Sequence, residues 1–255
     1  MIFSRLHRFL FIKGRKVAGT SFEVALSKVC GPNDIITPVT PIDEKARLAD
    51  GYRHAQNYGA DDQKLRSYID TLGSACPETL QRLKPPKGRF ANHTTLREAH
   101  SLLGEELKDI RIMAIVRSPY QTILSRLNHR VAFADYKSTG RAMQATLKDL
   151  RDELQTFVKN LETCGYDKNI SHYMPTPGMD SSAVEYLRFE NLQEELNDLL
   201  ASLDITKPIM LPHLKKGRNL PDEAILEIAT PDQLAVINNY FDDELNEFGY
   251  AKLSS

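Results

Sequence analysis

Two short apolar runs, each ending in a basic turn and leading into a helical pattern, constrain this chain more than any other feature. The first is Phe9-Leu10-Phe11-Ile12, followed by the loop Lys13-Gly14-Arg15-Lys16-Val17-Ala18-Gly19-Thr20-Ser21 and then Phe22-Glu23-Val24-Ala25-Leu26. The second is Arg111-Ile112-Met113-Ala114-Ile115-Val116, with the turn Arg117-Ser118-Pro119 before a helix from Tyr120. A short apolar run bounded by charges and turn residues reads as a buried strand, so both segments read strand, loop, helix. A third strand is expected at Val184 to Leu187, ahead of a helix carrying Leu192, Leu196, Leu199 and Leu203. Apolar residues at 147, 150, 154, 157, 158 and 161 predict another helix. Alternating elements imply an α/β fold, a parallel sheet flanked by helices, with ligands held beyond the carboxyl ends of the strands. Both basic turns lie at such ends.

At 255 residues, 41% of them hydrophobic, the chain can bury a core without metal or disulfide support and is expected to form a single domain over 1–255. Its three cysteines, Cys30, Cys76 and Cys164, contain no CxxC pair, which argues against a disulfide framework or a cysteine zinc site and favours a reducing, cytoplasmic compartment. No stretch reaches the ~18 apolar residues of a membrane span, and the run at Phe9 is too short for a signal-peptide core. Net charge is -1, yet residues 1–28 carry six Lys/Arg against Glu23 alone, while residues 219–250 carry eight acids and no Lys/Arg. That separation excludes a general nucleic-acid stripe and points to a local anion site near the N-terminus. Residues 31–60, rich in Pro, Gly, Asn and Asp, read as irregular surface, with helices expected at 61–72 and 78–83.

The first loop almost spells a nucleotide phosphate loop. Gly14 and Gly19 have the GxxxxG spacing and Ser21 occupies the terminal hydroxyl position, but Thr20 replaces the lysine that reaches the β- and γ-phosphates. Lys13, Arg15 and Lys16 are the nearby substitutes. A smaller anion, held by the amides of Gly19, Thr20 and Ser21 at a helix start, fits better than a triphosphate. Thr20 or Ser21 is expected near the helix start, where hydroxyls satisfy free amides.

At Arg15-Lys16-Val17-Ala18-Gly19-Thr20-Ser21 the sequence resembles the sulfotransferases that use 3′-phosphoadenosine 5′-phosphosulfate (PAPS), especially the carbohydrate type, whose first motif reads roughly Pro-Lys-Thr-Gly-Gly-Thr-Ser. Arg15 stands where proline is usual and Ala18 where the first glycine often is. The family's second motif is matched by Ile115-Val116-Arg117-Ser118-Pro119-Tyr120 with Ser125. Its Arg-aromatic-Glu-x-Leu segment resembles Arg188-Phe189-Glu190-Asn191-Leu192, its late basic loop Lys215-Lys216-Gly217-Arg218, and its C-terminal helix the segment Tyr240 to Tyr250.

The resemblance implies a phosphate-loop nucleotide hydrolase-like sulfotransferase fold that moves the sulfuryl group of PAPS to an acceptor hydroxyl on a glycan or glycolipid, releasing adenosine 3′,5′-bisphosphate, with no metal required. It implies that Arg15, Lys16, Ala18, Gly19, Thr20 and Ser21 hold the 5′-phosphosulfate, that Lys16 stabilises the departing phosphate, and that Arg117 and Ser125 grip the 3′-phosphate. Lys215, Lys216, Gly217 and Arg218 would close over the nucleotide. The acceptor hydroxyl needs a general base, and histidine has the most suitable ordinary pKa. His93, in Phe90-Ala91-Asn92-His93 ahead of the Arg117 strand, is the first choice, with a rate expected to rise with pH near the usual histidine value. Glu98 and His100, the latter expected to share a helix face with His93, are the alternatives. His54, His129, His172 and His213 have no motif support. Two other readings stand beside this one: a phosphate-loop kinase or nucleotide hydrolase, and a noncatalytic nucleotide- or glycan-binding protein on the same scaffold.

Overall fold

The computed structural model describes residues 1–139, 145–175, 184–206, 208–212 and 220–254, the backbone alone for 135–139. Five strands form one sheet in the order β3-β1-β2-β4-β5: β1 (Ile2–Ser4), β2 (Phe9–Ile12), β3 (Ile35–Ile36), β4 (Arg111–Val116) and β5 (Val184–Arg188). The helices are α1 (Gly19–Ser27), α2 (Pro41–Ala49), α3 (Asp62–Ser74), α4 (Pro77–Arg82), α5 (Leu96–Leu103), α6 (Pro119–Thr139), α7 (Leu147–Thr163), α8 (Asn169–Tyr173), α9 (Leu192–Ser202), α10 (Pro231–Tyr240) and α11 (Asp242–Glu247). The architecture is α/β, a sheet flanked by helices.

The sheet is mixed, not parallel. β2 and β4 pair in parallel, Phe9 opposite Arg111 and Ile12 opposite Ala114. β1 pairs antiparallel with both β2 and β3. The hairpin from β1 to β2 is hidden in the sequence because its turn, Arg5-Leu6-His7-Arg8, contains no glycine, asparagine or proline. Arg8 itself takes the left-handed conformation, φ 53°. Asp34, 1% exposed, closes the turn: it accepts from Ser4 Oγ (2.7 Å), Arg5 N (2.8 Å), Leu6 N (3.1 Å) and Gly31 N (2.7 Å). Amides that a turn leaves unpaired are satisfied by one buried carboxylate.

The Cα packing divides the chain into two compact units, Met1–Ile115 with His172–Lys215, and Val116–Ser171 with Lys216–Ser255. In the first, strand residues of both orientations are buried, Phe9, Leu10, Phe11 and Ile12 alike, which explains runs without polar alternation. Phe9, Phe11, Met113 and Ile115 pack with Phe22 and Leu26 of α1 and with Leu196 and Leu199 of α9. In the second unit, Ile123 and Leu127 of α6 pack with Leu154 and Phe157 of α7, Ile237 of α10 and Leu245 of α11. The chain passes from one unit to the other at the end of β4.

Residues 31–60 are not irregular surface. They contain β3 and α2, and Glu44, fully buried, accepts from Val39 N (3.1 Å), Ala55 N (2.8 Å) and Arg47 Nη1 (3.2 Å). Charged residues in a polar-looking segment signal surface on average, but here they satisfy backbone amides inside. Among the described residues no helix is long and apolar enough to cross a membrane.

Replacing Asp34 with alanine strands three backbone amides, those of Arg5, Leu6 and Gly31, and the Ser4 hydroxyl. We expect Asp34→Ala to lose about 3 kcal/mol, the scale of a hydrogen bond to a charged group with its partners left buried. Urea unfolding measures this, and a loss below about 0.5 kcal/mol would show that the carboxylate does not hold the turn.

Candidate functional site

The loop between β2 and α1 is pinned at one point and turned sharply around it. Val17 is fully buried in the sheet core, whereas Arg15 is exposed and Lys16 half-buried. Lys16 and Ala18 both adopt left-handed backbone, φ 62° and 59°. In that region an L-residue is disfavoured by roughly 1–2 kcal/mol, and glycine is the residue such a backbone ordinarily favours. Helix α1 begins at Gly19 with Ala18 as its N-cap. No side chain caps it and no acid lies in its first turn. Thr20 and Ser21 lie in its first turn, near the helix start as expected, while the N-cap itself is Ala18. The first intrahelical bond of this turn is Phe22 N to Ala18 O (3.3 Å), which leaves the preceding amides aimed along the positive end of the helix dipole.

Lys13 does not serve this loop as a mobile cation. It is 3% exposed, and its ammonium donates to Glu23 Oε2 (2.6 Å) and Asn92 Oδ1 (2.8 Å). Glu23 sits one turn into α1 and also accepts from the Met1 α-ammonium, which reaches Thr37 Oγ1 (2.8 Å) as well. Burial alone would raise the Glu23 carboxyl, but the Lys13 ammonium, the α-ammonium and Arg47 hold it down at about 2. Burial, only partly offset by Glu23, lowers the α-ammonium to about 6. Gly19 is required by close approach: a Cβ there would lie 2.7 Å from Lys13 Cγ.

His93 is brought to the same place. It lies in the turn Ala91 to Thr94, closed by Thr94 N to Ala91 O (3.2 Å) and by Ala91 N to Thr94 Oγ1 (2.8 Å). Its Nδ1 is 3.1 Å from the Lys13 carbonyl oxygen. A carbonyl only accepts, so Nδ1 carries the hydrogen and Nε2 the lone pair. Burial first, and then the Lys13 charge, lower His93 to about 4. The imidazole is thus neutral at physiological pH, and the histidine-like titration near 6.5 anticipated from the sequence moves to acid.

The alternatives fare differently. Glu98 is the capping-box partner of Thr95 at the start of α5, bonded to Thr95 N (2.7 Å) and Oγ1 (3.0 Å). His100 lies on α5, which begins at Leu96, so it shares no helix face with His93. His172, one of the four histidines without motif support, packs edge-on against His93, ring centroids 6.3 Å apart. It arrives on α8, whose Tyr173 hydroxyl donates to Ile115 O (2.7 Å). No short-range signal in the sequence links positions 93 and 172.

In the second unit, Arg117 is 8% exposed and its Nε donates to Gln121 Oε1 (3.2 Å). Ser125 is half-buried one further turn along α6, so 117, 121 and 125 run along one side of the chain leading into and through that helix. Ser118 Oγ and Thr122 Oγ1 are buried without hydrogen-bond partners at the same helix start. Lys215, Lys216, Gly217, Arg218 and His213 lie outside the described residues. Among the described residues no group of three or more His, Cys, Asp and Glu is placed to hold a metal ion.

The two depressed groups set a pH dependence with a definite sign. An unfolded chain protonates histidine near 6.5 and glutamate near 4.5, whereas the folded chain waits until about 4 and about 2. Stability contributed by neutral His93 is present above pH 6.5 and lost as pH falls toward 4, and that from Glu23 is lost between 4.5 and 2. Glu244, raised by burial to about 7, contributes with the opposite sign, so the comparison is between wild type and variant. We expect His93→Gln to flatten the loss between pH 6.5 and 4, read from urea midpoints, while leaving the acid limb below 4.5. Parallel curves for the two proteins would contradict the assignment.

No protein-family model, curated protein or solved structure matches this chain.

Proposed function

We propose that the protein is a PAPS-dependent sulfotransferase built on a phosphate-loop-like fold, acting on the hydroxyl of a glycan or glycolipid. The observation that carries the reading is the convergence at the end of β2: an uncapped helix start, with Lys16 in the loop before it and a neutral histidine bonded to the same loop through Lys13 O. These are the two chemical needs of sulfuryl transfer, anion binding and proton acceptance. The sequence motifs supply the identity of the anion.

In the proposed reaction the acceptor oxygen attacks sulfur in line. Its proton passes to His93 Nε2, a new O–S bond forms, and the S–O bond to the 5′-phosphate breaks with its electron pair going to adenosine 3′,5′-bisphosphate. The imidazolium then returns the proton to solvent. Lys16 and the amides of Gly19, Thr20 and Ser21 stabilise the charge gathering on the leaving phosphate. Arg117 and Ser125 hold the 3′-phosphate, and the orphaned hydroxyls of Ser118 and Thr122 at the same helix start favour an oxyanion there. A base held near 4 takes its proton late, once the hydroxyl has become acidic through bonding to sulfur.

A kinase or hydrolase reading lacks the lysine at position 20. The noncatalytic reading keeps the anion loops but gives His93 no task.

The test is transfer from labelled PAPS to a panel of oligosaccharide and glycolipid acceptors. His93→Ala should lower turnover about 100-fold or more with affinity for adenosine 3′,5′-bisphosphate retained. Lys16→Ala should slow transfer by about 3 kcal/mol of barrier, more than it weakens product binding. The wild-type rate should stay level from about pH 5.5 to about pH 8, since His93 is already neutral there. Full turnover in His93→Ala would take the base role from His93 and move it to Glu98 or His100, whereas no transfer to any acceptor would count against the enzyme and for a binding scaffold.

A further inference from the structure

Lys13 touches both the His93 turn and the start of α1. The Lys13 carbonyl accepts from His93 Nδ1 (3.1 Å), its ammonium binds Asn92 Oδ1 (2.8 Å) and Glu23 Oε2 (2.6 Å), and its stem lies so close to Gly19 that any β-carbon there would collide with Cγ. Asn92 and His93 belong to the turn before α5, whereas Gly19 and Glu23 belong to the first two turns of α1. The Met1 α-ammonium, which donates to Asn92 O (3.2 Å) and to Glu23, makes a second link between the two, but Lys13 alone reaches the imidazole as well. Glu23 and Lys13 are 0% and 3% exposed, so neither meets solvent.

Resting on the sulfotransferase reading, we infer that Lys13 and Glu23 are positioning residues for the transfer: their buried ion pair clamps the His93 turn to the anion-holding start of α1, fixing the distance and tautomer with which the proton acceptor faces the transferred group. A buried pair contributes little net stability compared with apolar or neutral residues of the same shape, because desolvation offsets the Coulomb gain. What such a pair does supply is one geometry. Transfer needs that geometry, since misplacing a reacting group by about 1 Å can cost roughly 100-fold in rate.

The charges around the site define what a substitution should change. His93 faces Lys13, Arg15 and Glu23 and packs against His172, while Glu23 faces Lys13, the α-ammonium and Arg47. Removing the Lys13 charge alone would relieve the repulsion on a protonated His93 but leave Glu23 a partner short. Removing both charges, with Met at position 13 and Gln at position 23, keeps the volume filled and leaves an amide oxygen to accept from the α-ammonium.

The experiment uses the full chain, Lys13→Met/Glu23→Gln, and Gly19→Ala as a second variant that displaces the Lys13 stem without touching a charge. Nitrogen NMR of the imidazoles reads the tautomer and titration of His93 directly and does not depend on any acceptor. In wild type we expect the Nδ1–H form to persist below about pH 5. In both variants we expect a mixture of tautomers and a midpoint moved toward about 6.5. Transfer should fall at least about 10-fold in the double variant, with affinity for adenosine 3′,5′-bisphosphate changed less than about 3-fold. An unaltered His93 tautomer and titration in either folded variant would overturn the inference. Should wild type transfer nothing while the NMR changes appear, the clamp stands and the sulfotransferase reading falls.

Discussion

The Lys13–Glu23 pair is the constraint on which the candidate site depends. It forms where β2 ends and α1 begins, inside the unit that carries the sheet, and it draws in the Met1 ammonium and the Asn92 amide. Two cations around one carboxylate, all buried, satisfy one another. Were Glu23 lost, two buried cations would be left without their carboxylate, in a medium where an unpaired ion costs several kcal/mol. Beyond this pair Val17 pins the loop in the core, Arg15 is exposed and Lys16 half-buried, and no side chain caps the helix start.

This arrangement links electrostatics to the proposed chemistry. A capped helix start with an acid in its first turn, as at Thr95 and Glu98 of α5 or Thr146 and Asp149 of α7, satisfies its own amides and offers nothing to an anion. α1 has neither device. Burial and the Lys13 charge meanwhile keep His93 unprotonated at neutral pH. Proton acceptance and anion binding are then poised together without a titration between them.

Much of this was legible in the sequence, and what was not has a common cause. β2 and β4 show as apolar runs because both sides of those strands are buried, and the stripe from Leu147 predicts α7 because its helix is buried on one side only. The hairpin strand β1 was hidden by a turn whose left-handed residue is Arg8 and whose amides are satisfied by Asp34, a partner far along the chain. Residues 31–60 read as surface because composition cannot tell a solvated glutamate from Glu44, which binds two backbone amides inside. At the site, the first loop and the turn at His93 stand out in the sequence, but the engagement of Lys13 depends on Glu23 and Asn92, and only tertiary packing brings His172 to His93.

The proposed PAPS dependence requires selection of a nucleotide with phosphates at both 3′ and 5′ positions. Calorimetric titration with adenosine 3′,5′-bisphosphate, adenosine 5′-monophosphate and ATP with magnesium tests it most directly. The account predicts magnesium-independent binding of the bisphosphate at least about 10-fold tighter than the monophosphate, with the difference removed by Arg117→Ala, about 1.5–3 kcal/mol for a charged hydrogen bond. Equal affinity for the two adenosine phosphates, or a preference for ATP with magnesium, would contradict it.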